Sequence, residues 1–339
     1  MNSNQDSRPT INNSIMREML ILVVSLSLLG ISSLAKADIL VDSSESHSIE
    51  WFTNKGAWIG TFATTGPRVP YGLAQNPVNG DVFVATFTGT ILRYHSNGQP
   101  TVNWDTFNVP PDGNPVESVL FDPVSGDLWV STYFGESGYV ANLYRYAAAS
   151  LTTPNPQPID TIPTGLRRSN QMAFDKQQNL CVASYFGDEV RCFDPITHAQ
   201  IFDYNAELVA GGIAAPGGFA FDAQNHLYVS GAYGGQVGKE QTPHVGPITV
   251  LAQGLTTAVL FATLNRTGLY VTSFHNADPR MDGCTLGNGS AAYACNDYDF
   301  TADTVYKIDP VTGAVTNFIT SHVWGPYQLI FAKVTKGRN

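Results

Sequence analysis

A strand–turn–strand phrase that returns about six times predicts an all-β chain folded as a six-bladed β-propeller, and three observations carry that prediction. The first is the phrase itself: an apolar stretch ending in Asp or Asn, a polar turn, and a second apolar strand. It reads Leu73-Ala74-Gln75-Asn76 then Asp81-Val82-Phe83-Val84, and Val119-Leu120-Phe121-Asp122 then Asp127-Leu128-Trp129-Val130. It returns at Met172 to Val182, at Phe219 to Val229 and at Val259 to Val271, with a half-copy at Leu329-Ile330-Phe331-Ala332. The second is the spacing of its anchors, 46, 53, 47, 40 and 70 residues; a period of this size built from strands marks one four-stranded blade per repeat. The third is composition. Only 14% of residues are charged while Gly alone numbers 31, which suits short strands joined by tight turns better than helices.

Residues 1–37 read as a signal peptide. Arg8 and Arg17 precede an apolar run from Met19 to Ile31, and Ala35-Lys36-Ala37 is a small-x-small cleavage signal. The run falls short of the ~20 apolar residues that a spanning helix needs, so an uncleaved anchor is the weaker reading. Removal of the segment makes the net charge of −10 one unit more negative. Such an acidic chain repels phosphate backbones and anionic membranes, so neither nucleic acid nor membrane insertion after cleavage is expected. The expected address is secreted or periplasmic.

The propeller is expected over residues 38–333, with 334–339 as a C-terminal tail. Asp38-Ile39-Leu40-Val41 resembles the second strand of a blade, Ser48 to Phe52 the third and Ala57 to Phe62 the fourth. The innermost strand is missing there, and the half-copy near the C-terminus supplies it. Five further blades fall near 68–112, 113–163, 167–208, 212–255 and 256–320. Phe83, Trp129, Cys181, Tyr228 and Tyr270 occupy one recurring strand position and are expected to pack blade on blade.

Four cysteines form two local pairs, Cys181/Cys192 and Cys284/Cys295. Counting outward from a hairpin at Phe186-Gly187 sets Cys181 opposite Cys192, so an oxidising compartment would close a disulfide. Cys284 and Cys295 lie in a long fifth-blade insertion, about 274–303, which reads as a disulfide-stapled surface lid; a metal site is the weaker reading of both pairs.

The segments Pro70-Tyr71-Gly72-Leu73-Ala74, Gly80-Asp81-Val82-Phe83-Val84-Ala85 and Ile91-Leu92-Arg93-Tyr94 resemble the NHL-repeat pattern, as do Pro216 to Asp222 and Leu227-Tyr228-Val229. The same pattern runs through the superfamily of SMP-30, gluconolactonases and streptogramin lyases, and the resemblance covers most of 38–333. It implies a six-bladed propeller and admits metal-dependent lactonases, lyases and pure binding scaffolds.

The position just before the family's Gly is Tyr71, Glu117, Asn170, Gly217, Thr257 and Tyr327 around the ring. In SMP-30-type lactonases carboxylates and Asn amides near this position hold a divalent cation, so the resemblance implies Ca²⁺ or Mg²⁺ on Glu117 and Asn170 in the central channel. Gly217 and Thr257 depart from that pattern. A streptogramin-lyase reading asks for His at this position, and none of the six is His. The turns after the second strands carry aromatics, among them Phe87, Tyr133, Phe134, Tyr185, Phe186, Tyr233 and Phe274, with His275 beside the last. Together with Tyr71 and Tyr327 these rings either line a channel mouth that stacks on a ligand or plug the blade ends. Because neighbours on a strand face opposite ways, Tyr133 and Phe134, and likewise Tyr185 and Phe186, are not expected to point inward together. The reading that follows is an exported binding scaffold for a protein, small molecule or carbohydrate at the channel face, with an SMP-30-like or streptogramin-lyase-like metal-dependent hydrolase or lyase as the alternative.

Overall fold

Short apolar strands separated by turns of Gly, Asn and Asp build this chain, and five of its six sheets form from strands that follow one another in sequence. The computed structural model describes residues 37–101, 106–109, 114–133, 140–232, 234–255, 259–265, 267–273 and 303–337. The signal-peptide reading therefore lies outside the described residues, as does the Cys284/Cys295 pair. Among the described residues no helix is long and apolar enough to cross a membrane.

The first three strands are β1 (Asp38–Ser43), β2 (Ser48–Phe52) and β3 (Trp58–Thr64). Four strands follow as the first complete blade: β4 (Pro70–Gln75), β5 (Val82–Thr86), β6 (Thr90–Tyr94) and β7 (Thr106–Asn108). The second blade is β8 (Val116–Phe121), β9 (Leu128–Thr132), β10 (Val140–Tyr146) and β11 (Asp160–Arg167). Its outer strand runs four residues beyond the expected boundary at 163. The third is β12 (Ser169–Phe174), β13 (Leu180–Ser184), β14 (Glu189–Phe193) and β15 (Gln200–Asp203), followed by a short helix α1 (Asn205–Gly211). The fourth is β16 (Pro216–Phe221), β17 (Leu227–Gly231), β18 (Gln236–Thr242) and β19 (Val245–Ala252). The fifth is β20 (Val259–Asn265), β21 (Gly268–Ser273), β22 (Thr304–Ile308) and β23 (Val315–Ile319), and the chain ends its strands with β24 (Leu329–Ala332).

These form six antiparallel four-stranded sheets, and the sixth has the order β24-β1-β2-β3. The last strand pairs with the first from Asp38↔Ala332 to Val41↔Leu329, so both ends of the chain build one blade and β1 is not left as an unpaired edge. The inner strands β4, β8, β12, β16, β20 and β24 contact one another in that cyclic order, which makes the sheets a ring. The six-bladed propeller is thereby observed.

The core is divided among the interfaces between blades. Phe83 packs with Val119, Phe121 and Leu128 of the second blade, and Trp129 with Met172 and Leu180 of the third. Cys181 packs with Phe219 and Leu227 of the fourth, Tyr228 with Leu269 and Val271 of the fifth, and Tyr270 with Ile39, Val41 and Leu329 of the composite blade. Leu40 joins the composite blade to Leu73 and Val84. One recurring residue thus faces forward at each step of the ring.

The cross-strand partner of that residue also recurs. Arg93 lies over Phe83 and Arg145 over Trp129, each guanidinium carbon 5.7 Å from the ring centre. Lys239 lies 5.1 Å over Tyr228 and Lys307 5.7 Å over Tyr270. In the third blade the same register pairs Cys181 with Cys192, which are joined as a disulfide. The expected pairing is borne out, and it stands where the other complete blades carry an aromatic under a cation.

Candidate functional site

The five complete blades share an irregularity at the start of the inner strand. Pairing of inner with second strand shifts between Pro70 and Gly72, Val116 and Ser118, Ser169 and Met172, Pro216 and Gly218, and Val259 and Ala262. A bulge places extra residues against the partner strand and re-aims their side chains. Tyr71, Glu117, Asn170 and Gly217 fall on those bulges, so this sequence position is set apart by backbone geometry. In the fifth blade the shift falls at Leu260–Phe261, three residues beyond Thr257, because Val259 and not an earlier residue pairs with Ser273; Thr257 lies outside the described residues.

Beside the Glu117 bulge stands a group that the sequence reading passed over, Arg168. It directly precedes β12 with φ of 59°, a left-handed backbone that a long side chain adopts at a cost of about 1 kcal/mol. Its guanidinium carbon lies 4.5 Å from the Tyr133 ring centre, 4.9 Å from Tyr185 and 5.4 Å from Phe186. Its Nε stands 3.5 Å from Glu117 Oε1, an ion pair too long for a good hydrogen bond. Both side chains are buried, Arg168 keeping 5% exposure and Glu117 none. The two oxygens of Glu117, the Nε of Arg168 and both amide atoms of Asn170 have no hydrogen-bond partner among the described residues.

Burial pushes the Glu117 carboxyl up to about 7, against the pull of Arg168. The direction is physically expected, since an ionised carboxylate without a hydrogen bond loses its hydration for little return. Burial works against the Arg168 charge too, but Glu117 and the surrounding phenols hold its pKa above the ordinary value.

Around this pair the aromatics form a continuous string. Tyr327 donates from its hydroxyl to that of Tyr71 at 3.0 Å, and the two rings lie 4.0 Å apart. Tyr71 stacks on Phe87 at 5.1 Å, and Phe87 meets Tyr133 edge-on at 6.3 Å. Tyr71 and Tyr327 are each only 3% exposed. Phe87 and Phe186, at 39% and 42%, face solvent. Tyr185 and Phe186 both reach Arg168 because they follow β13 in a turn, where strand alternation no longer applies. Tyr233, Phe134, Phe274 and His275 lie outside the described residues.

The donor set fits a divalent cation poorly. Glu117 already faces a guanidinium, Asn170 offers a neutral oxygen, and no cluster of three His, Cys, Asp or Glu side chains occurs among the described residues. What the arrangement does offer is a cation among three rings, with the exposed phenyl groups of Phe87 and Phe186 nearby.

No family model matches this sequence, and no curated protein matches it. Solved structures of similar shape exist. A protein of unknown function from Bacteroides caccae is 14% identical with a TM-score of 0.59, over 87% of this chain and 98% of that one. A chain of the nidogen/laminin complex is 14% identical with a TM-score of 0.60, over 86% and 97%. Virginiamycin B lyase from Staphylococcus aureus is 14% identical with a TM-score of 0.49, over 68% and 75%. At such identities the first two support the fold alone.

Proposed function

We propose that this chain is an exported, NHL-like β-propeller that works as a binding scaffold, seating its ligand among Phe87, Tyr133, Tyr185 and Phe186 above Arg168. One observation carries the reading: the centre of the site is held by a guanidinium enclosed by three rings and faced by Glu117. An arginine so placed is a recognition group, since it stays protonated and cannot serve as a general base. The exposed phenyl rings beside it supply contact area at small entropic cost. The net charge of −10 argues against nucleic acid as the ligand.

The alternative, a hydrolase of the SMP-30 type with Ca²⁺ or Mg²⁺ on Glu117 and Asn170, draws on the unbonded oxygens of those two residues. It requires Arg168 to leave its present place, because a dication and a guanidinium 3.5 Å from one carboxylate repel each other. A thermal-shift screen of saccharides, peptides and aromatic acids tests the scaffold reading, run beside the variant Phe87→Ala/Phe186→Ala. Hits that vanish in the double variant are expected. Lactone hydrolysis abolished by Glu117→Gln, with stoichiometric metal in the purified protein, would overturn it.

A further inference from the structure

We propose that Arg168 anchors a subsite for a small monocarboxylate with an aromatic or apolar body, entering between Phe87, Tyr133, Tyr185 and Phe186. The inference rests on the binding-scaffold reading and names the ligand class of that site.

Three rings lie 4.5 to 5.4 Å from the guanidinium carbon, and its Nε has no hydrogen-bond partner among the described residues, so the group keeps hydrogen-bonding capacity to offer. A guanidinium is a fork of N–H donors whose spacing matches a carboxylate. Its present partner, Glu117, sits at 3.5 Å and completes no hydrogen bond through Nε. Glu117 is sealed while Arg168 retains some exposure, so an incoming ligand reaches the cation first. The left-handed φ of 59° holds Arg168 at this spot despite its conformational cost. Phe87 and Phe186 expose apolar surface at the same mouth, which suits the body of the ligand and not its charge.

Charge fixes the valence. A single guanidinium backed by a carboxylate can neutralise one negative charge at most, which favours a monocarboxylate over a phosphate dianion. A bound carboxylate and an ionised Glu117 would then share one cation, so occupancy draws a proton from solvent onto Glu117. Arg168 is the charged group that faces Glu117; the Tyr327 phenol interacts with both of them, the phenols of Tyr71 and Tyr133 interact with Arg168, and Asn170 is neutral. The elevated Glu117 pKa, about 7, puts that proton within reach near neutral pH.

The test titrates the full chain with phenylacetate and with phenylacetamide by calorimetry. Phenylacetate is expected to bind about tenfold more tightly near pH 6 than near pH 8, as the protonated fraction of Glu117 falls. Phenylacetamide should bind weakly at both. Glu117→Gln, nearly isosteric, should bind phenylacetate tightly and without pH dependence, while Arg168→Lys should lose about tenfold because a point charge replaces the fork. Far-UV circular dichroism confirms that each variant is folded. No phenylacetate binding near pH 6, equal binding of the amide, or an undiminished affinity in Arg168→Lys each overturns the inference. If phenylacetamide binds and Phe87→Ala/Phe186→Ala abolishes that binding, the carboxylate subsite falls while the scaffold reading stands. If phenylacetate binds undiminished in both that double variant and Arg168→Lys, both readings fall.

Discussion

Asp42 closes the ring, and its replacement tests the closure directly. It lies at the end of β1, fully buried, and its Oδ1 accepts hydrogen bonds from the backbone N–H of Tyr327 at 2.7 Å and of Gln328 at 2.8 Å. Its own N–H donates to the Gln328 carbonyl at 3.1 Å. These contacts hold the chain in line just before β24 takes up its register with β1. Asp42→Ala removes the acceptor and leaves two buried N–H groups without it. At about 1–3 kcal/mol for each orphaned donor, the cost is roughly 2–6 kcal/mol, a large share of a typical folding free energy of about 5–15 kcal/mol. Asp42→Asn keeps a carbonyl oxygen where Oδ1 stands and should lose well under half of that. Urea denaturation followed by tryptophan fluorescence reads both.

The same residue predicts a pH dependence with a definite sign. Burial raises the Asp42 pKa well above 3.8, outweighing the two backbone donors that lower it. Below 3.8 the folded and unfolded chains both hold the proton. Above it the unfolded chain releases the proton first, so this carboxyl lowers stability by about 1.4 kcal/mol per pH unit until the folded-state pKa is reached. The stability difference between the native chain and Asp42→Asn should therefore drift against the native chain as pH climbs from 4. A flat difference, or Asp42→Ala within about 1 kcal/mol of the native protein, would refute the clasp.

Three further outcomes follow from the same contacts. Deleting residues 327–339 removes β24 and with it the buried Tyr327 and Leu329, so the cooperative melt seen by circular dichroism should disappear; a melt like that of the intact chain would refute closure. Cys181→Ser with Cys192→Ser should lower stability by roughly 2–3 kcal/mol, the chain-entropy value for so short a loop, while near-ultraviolet dichroism retains the native pattern. Glu117 shares the sign of Asp42, its folded value raised from 4.5 to about 7, so between those pH values it should cost at most about 3 kcal/mol, measured as the pH-dependent part that Glu117→Gln removes.

The architecture was legible because each blade repeats one forward-facing residue in one strand position. Phe83, Trp129, Cys181, Tyr228 and Tyr270 announce five interfaces, and at the sixth Leu40 holds the equivalent strand position, where no aromatic marks it. The disulfide was legible for the same reason. A hairpin with known ends fixes its register, and register alone brings Cys181 against Cys192. Asp42 was not legible. In sequence it is one polar residue after Ile39-Leu40-Val41, and its partners Tyr327 and Gln328 lie 285 and 286 residues away.

The site divides along the same line between periodic and singular features. The inner-strand position repeats, so Tyr71, Glu117, Asn170 and Tyr327 stand out in the sequence by themselves. What could not be read was the bulge at that position, because a register shift leaves no residue type behind and follows from how two strands meet. Arg168 escaped for a further reason: it occurs once, ahead of the strand, in a connection that the repeat does not describe. Its signal was present as Arg167-Arg168 abutting an inner strand in an acidic chain, but it becomes meaningful only with rings from the second and third blades around it. A ring of near-identical sheets supplies six equivalent inward positions, and symmetry by itself recognises nothing. On the scaffold reading, specificity has to come from the residues that break the repeat. Here those are a carboxylate in the second blade, an amide and a left-handed arginine in the third, and the tyrosine that precedes the closing strand.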